Sequence, residues 1–144
     1  MYSIFQTVRL ILSSALLLAY ATAQGEPIVV VVSVNSTIKS LNKEQVANLF
    51  LGKSSIYPDG SAAIPIEQSD DTETHQEFHK SITEKSASQL KSYWSKMIFS
   101  GKGTAPKEVA SNAELLTLIS SNPTMLGYID KKAVNKSVNV IFAP

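Results

Sequence analysis

The stretch IVVVVSV at residues 28–34 decides the fold class of this 144-residue chain. Its β-branched run is too short for a typical helix, and Pro27 and Asn35 bound it. A short, nearly continuous apolar run of this kind is typical of a strand buried on both faces, as in α/β proteins. The sequence therefore predicts an α/β fold with this strand inside its sheet.

Helix and strand patterns alternate along the rest of the chain. We expect a helix at about 40–51, with Ser40 or Asn42 as its N-cap, and further helices at 72–83, 86–100 and 111–119. Further strands are expected at 63–66, 125–129 and 138–142, with a helical turn near 131–134. In the third helix, Leu90, Trp94, Met97 and Ile98 recur at helical spacing and predict a stripe that faces the core. Interleaved strands and helices predict one domain, a mixed sheet flanked by helices in a three-layer-like arrangement.

The first 23 residues have the pattern of a secretory signal peptide. Arg9 precedes an apolar run at residues 10–20, and Ala21-Thr22-Ala23 fits the small-x-small cleavage pattern. The alternative is a membrane anchor, but a spanning helix needs about 20 apolar residues. We therefore expect a cleaved signal at residues 1–23, an exported domain at residues 24–144, and a periplasmic location.

Composition excludes several classes of protein. The chain has no cysteine, so disulfide frameworks, cysteine-ligated metal sites and thiol nucleophiles are excluded. Its formal net charge is +1, which argues against a nucleic-acid partner. Gly52-Lys53-Ser54 resembles the end of a P-loop, but the pattern's first glycine position holds Ala47. No nucleophile–base arrangement stands out, and we predict a non-enzymatic protein without a cofactor.

The two histidines of the chain, His75 and His79, lie four residues apart in a predicted helix. Both imidazoles can therefore face one metal ion, and without cysteine a third ligand has to be an acid. A zinc-protease helix would place a glutamate directly after the first histidine, where this chain has Gln76. The sequence favours the alternative of two exposed histidines beside Glu73 and Glu77. We assign no metal to the chain, and metal binding by this pair stays open.

Three segments together resemble phosphate-type periplasmic binding proteins of ABC transporters. LNKEQVANLFLGK at residues 41–53 is similar to that family's L-s-x-x-Q-v-x-x-I-F-x-G-k stretch. Tyr93-Trp94 and FSGKG at residues 99–103 resemble the helix and loop of its short members, and Asn122-Pro123 with LGYI at residues 126–129 resembles its p-g-a-I-G-Y-v strand. The resemblance implies one lobe of a type II periplasmic-binding-protein fold. It also implies phosphate or a related oxyanion as ligand, and a transporter membrane component or a second copy as partner.

The resemblance also implies where a ligand would bind. In full-length relatives, hydroxyls, helix N-termini, an arginine and an acid hold phosphate between two lobes. The family's R-x-x-G-S-G-T-like loop falls on residues 67–74, where Gln68 lies nearest the arginine and Ser69 and Thr72 offer hydroxyls. Ser36 and Thr37, after the first strand, offer further hydroxyls. These five residues are the candidate ligand-binding set.

The same loop departs from the family pattern in its charge. Asp70, Asp71 and Glu73 repel a phosphate, and the sole arginine of the chain is Arg9. One lobe also cannot enclose a ligand as small-molecule sites usually do. We therefore expect weak oxyanion binding, and the alternative is a ligand-free accessory or protein-interaction module derived from the same fold.

Overall fold

A five-stranded mixed sheet organises the protein in the computed structural model, which describes residues 27–144. Its strands are β1 (Ile28–Ser33), β2 (Ile64–Gln68), β3 (Lys107–Val109), β4 (Met125–Asp130) and β5 (Val138–Phe142). They lie in the order β3-β2-β4-β1-β5. Strand β2 is parallel to β3 and β4, whereas β1 is antiparallel to β4 and β5. The predicted signal peptide at residues 1–23 lies outside the described residues.

Four α-helices connect the strands at the predicted places. They are α1 (Lys43–Phe50), α2 (Glu73–Phe78), α3 (Ala87–Phe99) and α4 (Asn112–Ser120). Helix α2 continues directly into a π-helical turn (His79–Thr83), and a 3-10 turn (Lys131–Ala133) follows β4. Asn42 and Ser86 each form a capping box with a glutamine three residues later, which fixes where α1 and α3 begin. None of the helices in this part of the chain has the length and apolar character to cross a membrane.

Strand β1 is buried along all six residues, as the opening run predicts. Val30 and Val32 face a core shared with α1 and α2, and Val29 and Val31 face a second core built with α4. The strand is buried because helices cover both faces of the sheet, although it runs antiparallel to both its neighbours. The predicted α/β class, with a mixed sheet between helical layers, is confirmed.

Two sequence expectations were wrong. No strand is predicted at residues 107–109, where β3 pairs with the edge of β2, because three residues of which only Val109 is buried carry no periodic signal. The predicted apolar stripe of α3 is only partly covered, since Leu90 and Trp94 pack with Leu51 in a small separate cluster. Ile98 is 55% exposed, so it does not belong to the core.

Close packing between β4 and α4 depends on Gly127. A Cβ atom at this position would lie 2.8 Å from a methyl carbon of Leu115 and 2.9 Å from one of Ile119. Real Cβ atoms do not approach other heavy atoms so closely, so the absence of a side chain lets the helix lie directly on the sheet. This contact places the strand that carries Tyr128.

Candidate functional site

A buried group of ionisable side chains lies at the carboxyl end of β2. It consists of Glu67 from β2, His75 from α2 and His79 from the π-helical turn, and we call it the acid–imidazole cluster. The three residues are 4%, 3% and 2% exposed, and their ligand-type atoms all lie within 4.8 Å of one another. The expectation of two exposed histidines was therefore wrong. Both lie on the helix face that also buries Phe78 and Ile82.

Glu67 is the centre of the cluster. His79 Nε2 lies 2.9 Å and 3.0 Å from its two carboxylate oxygens, and His75 Nε2 lies 3.6 Å from Oε2. The Tyr128 hydroxyl donates a hydrogen bond to Oε2 and accepts one from the Gln68 backbone N–H at 3.3 Å. Burial and the nearby Glu67 raise the pKa of Tyr128, so its hydroxyl keeps the proton it donates. The carboxylate is therefore held in one orientation.

Both ring nitrogens of His79 have a hydrogen-bond partner. Thr83 Oγ1 lies 2.9 Å from His79 Nδ1 and 3.1 Å from the His79 carbonyl oxygen. One tautomer donates from Nε2–H to the Glu67 carboxylate and accepts at Nδ1 from the threonine hydroxyl. The other tautomer donates from Nδ1–H to the threonine oxygen and directs the Nε2 lone pair at Glu67, which is the form that binds a metal ion through Nε2.

The ring nitrogens of His75 have fewer hydrogen-bond partners than those of His79. No hydrogen-bond partner reaches its buried Nδ1 from the described residues, and its Nε2 contact to Glu67 is longer than a hydrogen bond. Burial lowers the pKa of His75, and the attraction of Glu67 opposes that shift only in part. The residue also lines two surface grooves, of about 490 Å³ and about 520 Å³, so the cluster is close to solvent on two sides.

We expect the free energy of unfolding to depend on pH because His75 binds a proton less readily in the folded chain. Because its folded-state pKa lies below the usual 6.5, the unfolded chain binds this proton more readily than the folded one. The stability that neutral His75 contributes is present above about pH 6.5 and is lost as the pH falls, by at most about 1.4 kcal/mol per pH unit. Urea unfolding measured between pH 7.5 and pH 5 should show that the free energy of unfolding changes less with pH in the His75→Gln variant than in the wild type. Equal slopes in the two proteins would contradict this assignment.

Three of the sequence-predicted ligand residues lie next to the cluster. Gln68 donates from its side-chain amide to Asn112 Oδ1 at 2.9 Å and to the Tyr128 carbonyl at 3.2 Å. Thr72 accepts a hydrogen bond from the His75 backbone N–H at 3.2 Å and donates to the Ser69 carbonyl at 2.7 Å, which makes it the N-cap of α2. The polar groups of Gln68 and Thr72 are thus already bonded within the chain.

The other two predicted residues lie elsewhere. Strand β1 is antiparallel to β4 and β2 is parallel to it, so the segment that follows β1 leaves the sheet at the opposite end from Gln68. There, Ser36 Oγ accepts from the Ile38 backbone N–H, and Thr37 Oγ1 donates to Asp59. The fold therefore does not bring the five predicted residues together in one site.

Negative charge dominates the end of the sheet that holds the cluster. Glu108 on β3 lies beside Glu67 in the strand register, and its pKa is raised by burial and by Asp70, Glu67 and Asp71. A mutual effect of this kind means that the carboxylates are close enough to repel one another. Since the one arginine of the chain is Arg9, no guanidinium among residues 27–144 offsets them. These carboxylates disfavour an anion beside the cluster, and Lys91 is the cation that lines the same groove as Asp70 and Glu108.

Sequence reasoning missed the roles of Glu67 and Tyr128. A signal was available for the histidines, because His75, Phe78, His79 and Ile82 follow one another at spacings of three and four. That spacing places the imidazoles on an apolar, inward face. No local pattern marks Glu67 or Tyr128, which lie on different strands of the sheet.

The fold of residues 27–144 is that of one lobe of a substrate-binding protein. Solved structures of phosphate ABC-transporter receptors share this fold. A phosphate transport receptor from Vibrio cholerae superposes with a TM-score of 0.64 at 19% identity, over 81% of this chain and 45% of the receptor. A Clostridium perfringens protein described as a phosphate ABC transporter substrate-binding protein, solved with bound phosphate, gives 0.66 at 17% identity, over 81% and 44%. PstS from Borrelia burgdorferi gives 0.60 at 15% identity, over 81% and 46%.

The likeness covers only part of these receptors. This chain spans less than half of their length, and its sequence identity to them is low, so the comparison establishes the fold. No protein-family model matches the chain, and no curated protein matches it. The resemblance noted in residues 41–53, 93–103 and 122–129 is confirmed at the level of fold.

Proposed function

We propose that this chain is an exported, non-catalytic binding domain related to the binding components of phosphate ABC transporters, and that it binds oxyanions weakly. Fold similarity to substrate-binding proteins supports the binding role. The signal-peptide pattern at residues 1–23 supports export to the periplasm. The observation that supports weak rather than tight oxyanion binding is that the loop at residues 67–74 is acidic and that its Gln68 and Thr72 side chains are already hydrogen-bonded.

Two features of that loop disfavour a phosphate. The side-chain polar groups of Gln68 and Thr72 are hydrogen-bonded to partners within the chain, so an anion would have to displace those hydrogen bonds. Asp70 and Asp71 bring negative charge to the same turn, and like charges at short range raise the energy of the bound state.

A thermal-shift titration tests this proposal. With 1 mM phosphate we expect the melting temperature to rise by about 2 °C or less, because a dissociation constant near 1 mM adds only about 0.4 kcal/mol. Sulfate should behave alike, and sodium chloride at equal ionic strength is the control. A micromolar receptor would instead gain about 4 kcal/mol at this concentration. A saturable rise of more than about 5 °C with phosphate alone would overturn the weak-binding proposal.

A second candidate function is the protein-interaction module. Phe99 is 96% exposed and follows the half-exposed Ile98 at the end of α3, and large apolar side chains grouped on a surface are typical of contact sites. The partner on this hypothesis is a transporter membrane component or a second copy of the chain. Sedimentation velocity over a range of protein concentrations tests self-association. A monomer at all concentrations would leave the membrane component as the remaining partner.

A further inference from the structure

We propose that Glu67, His75 and His79 bind one divalent transition-metal ion of the zinc class. Two imidazoles and one carboxylate are a ligand set that zinc takes in sites with an open fourth position. The chain has two histidines and no cysteine, and both histidines lie in the acid–imidazole cluster. All the nitrogen and sulfur side-chain ligands that such a metal prefers are therefore gathered at one place.

The distances suit an ion of this size. In a tetrahedral site with bonds of 2.0–2.2 Å, neighbouring ligand atoms are about 3.3 Å apart. Glu67 oxygens lie 2.9 Å from His79 Nε2 and 3.6 Å from His75 Nε2, which brackets that value. All three ligand atoms lie within 4.8 Å of one another, so they would draw closer together to seat the ion.

Surrounding hydrogen bonds orient two of the three ligands, His79 and Glu67, whereas His75 Nδ1 has no partner among the described residues. Thr83 Oγ1 lies 2.9 Å from His79 Nδ1, so it accepts from Nδ1–H in the tautomer whose Nε2 lone pair faces Glu67. Tyr128 donates to Glu67 Oε2 and fixes the carboxylate. Outer partners that set the tautomer of a histidine and hold a ligating carboxylate are a regular feature of metal sites. In that tautomer an ion bound to Nε2 would lie between the imidazole and the Glu67 carboxylate.

His75 gives an independent indication. Its Nδ1 is buried with no partner in the described chain, and its Nε2 is 3.6 Å from Glu67, outside hydrogen-bond range. A buried imidazole with neither nitrogen well bonded costs free energy if its role is only structural. Coordination through Nε2 would compensate for that cost.

Charge and access also favour a cation. Asp70, Glu108, Lys91 and His75 line the groove of about 520 Å³, which we call the acidic groove because it has two carboxylates and one ammonium group. A divalent ion bound to one carboxylate and two neutral imidazoles leaves the site with a net positive charge. The carboxylates of the acidic groove attract that charge. The groove also gives a path for entry and room for a water molecule at the fourth position.

Titration of tag-free protein with zinc chloride by calorimetry, after treatment with a chelator, tests the proposal. We expect one zinc ion per chain and a rise in melting temperature, and at least about tenfold weaker binding in His75→Gln, since even outer-shell changes cost 10–100-fold. His75 makes no side-chain hydrogen bond within range, so this variant should keep the fold. Glu73→Gln removes an exposed carboxylate from the same helix and should bind as the wild type does.

A measurement on the unmodified protein keeps the test independent of any variant. With only two histidines, the imidazole nitrogen resonances are readily assigned, and one equivalent of zinc should shift both Nε2 signals. Absence of saturable binding up to about 100 µM zinc, binding equal in His75→Gln, or unshifted imidazole signals would each overturn the proposal. The cluster would then be a proton-bridged pair of Glu67 and His79 with a structural role only.

Discussion

Replacing Glu67 with alanine should lower the free energy of unfolding by about 3–5 kcal/mol. The change removes the buried carboxylate that contacts His79 Nε2 and accepts from the Tyr128 hydroxyl, and it leaves the Nε2 atom and the hydroxyl proton without that partner in the interior. Removing one partner of a buried, hydrogen-bonded charge is costly because the remaining group keeps its desolvation penalty. Urea denaturation followed by circular dichroism, at neutral pH and with a chelator present, measures the loss.

The neighbouring strand offers a matched control for Glu67. Glu108 stands beside Glu67 in the parallel register and is exposed, and nearby carboxylates raise its pKa. Glu108→Ala should therefore leave stability unchanged or slightly higher, because it relieves repulsion. Glu67→Gln should fall between the two, since an amide oxygen still accepts from Tyr128. Equal effects of Glu67→Ala and Glu108→Ala would show that the cluster contributes nothing to stability.

Replacing Phe78 with alanine should destabilise the fold by about 3–5 kcal/mol. The Phe78 ring is fully buried, stacks on Tyr128 with centroids 3.8 Å apart, and meets Phe50 edge-on at 4.7 Å. Its loss leaves a cavity between α1, α2 and β4 that the packed surroundings can fill only in part. The urea concentration at the midpoint of unfolding should fall, while the dependence of the free energy of unfolding on urea concentration stays unchanged.

Phe99 provides the control of the same residue type. It is 96% exposed at the end of α3, so Phe99→Ala should change stability by no more than about 0.5 kcal/mol. Phe78→Leu should cost less than Phe78→Ala, because it restores most of the missing volume. A cost below about 1 kcal/mol for Phe78→Ala would mean that the aromatic stack is not a packed core contact.

Much of the fold could be predicted from local pattern. The run at 28–34 predicted a buried strand, Ser86 predicted the start of α3, and residues 138–142 predicted the last strand as observed. For α1 the sequence offered Ser40 or Asn42 as N-cap, and the structure has Asn42. These features depend on spacing and capping chemistry within a few residues, which a sequence displays directly. The short edge strand β3 could not be predicted, because three residues pair with β2 only once the sheet exists.

The sequence by itself determined the chemistry that is available: two histidines four residues apart, no cysteine, a sole arginine at Arg9, and acids in the loop at residues 67–74. Only the tertiary structure decided what that chemistry becomes. The histidines are buried because their helix face packs on the sheet, and Glu67 meets them because β2 ends beneath that face. The separation of Ser36 and Thr37 from Gln68 likewise follows from strand direction. Periodicity sets which face of an element is apolar, but long-range pairing sets which side chains from different elements meet.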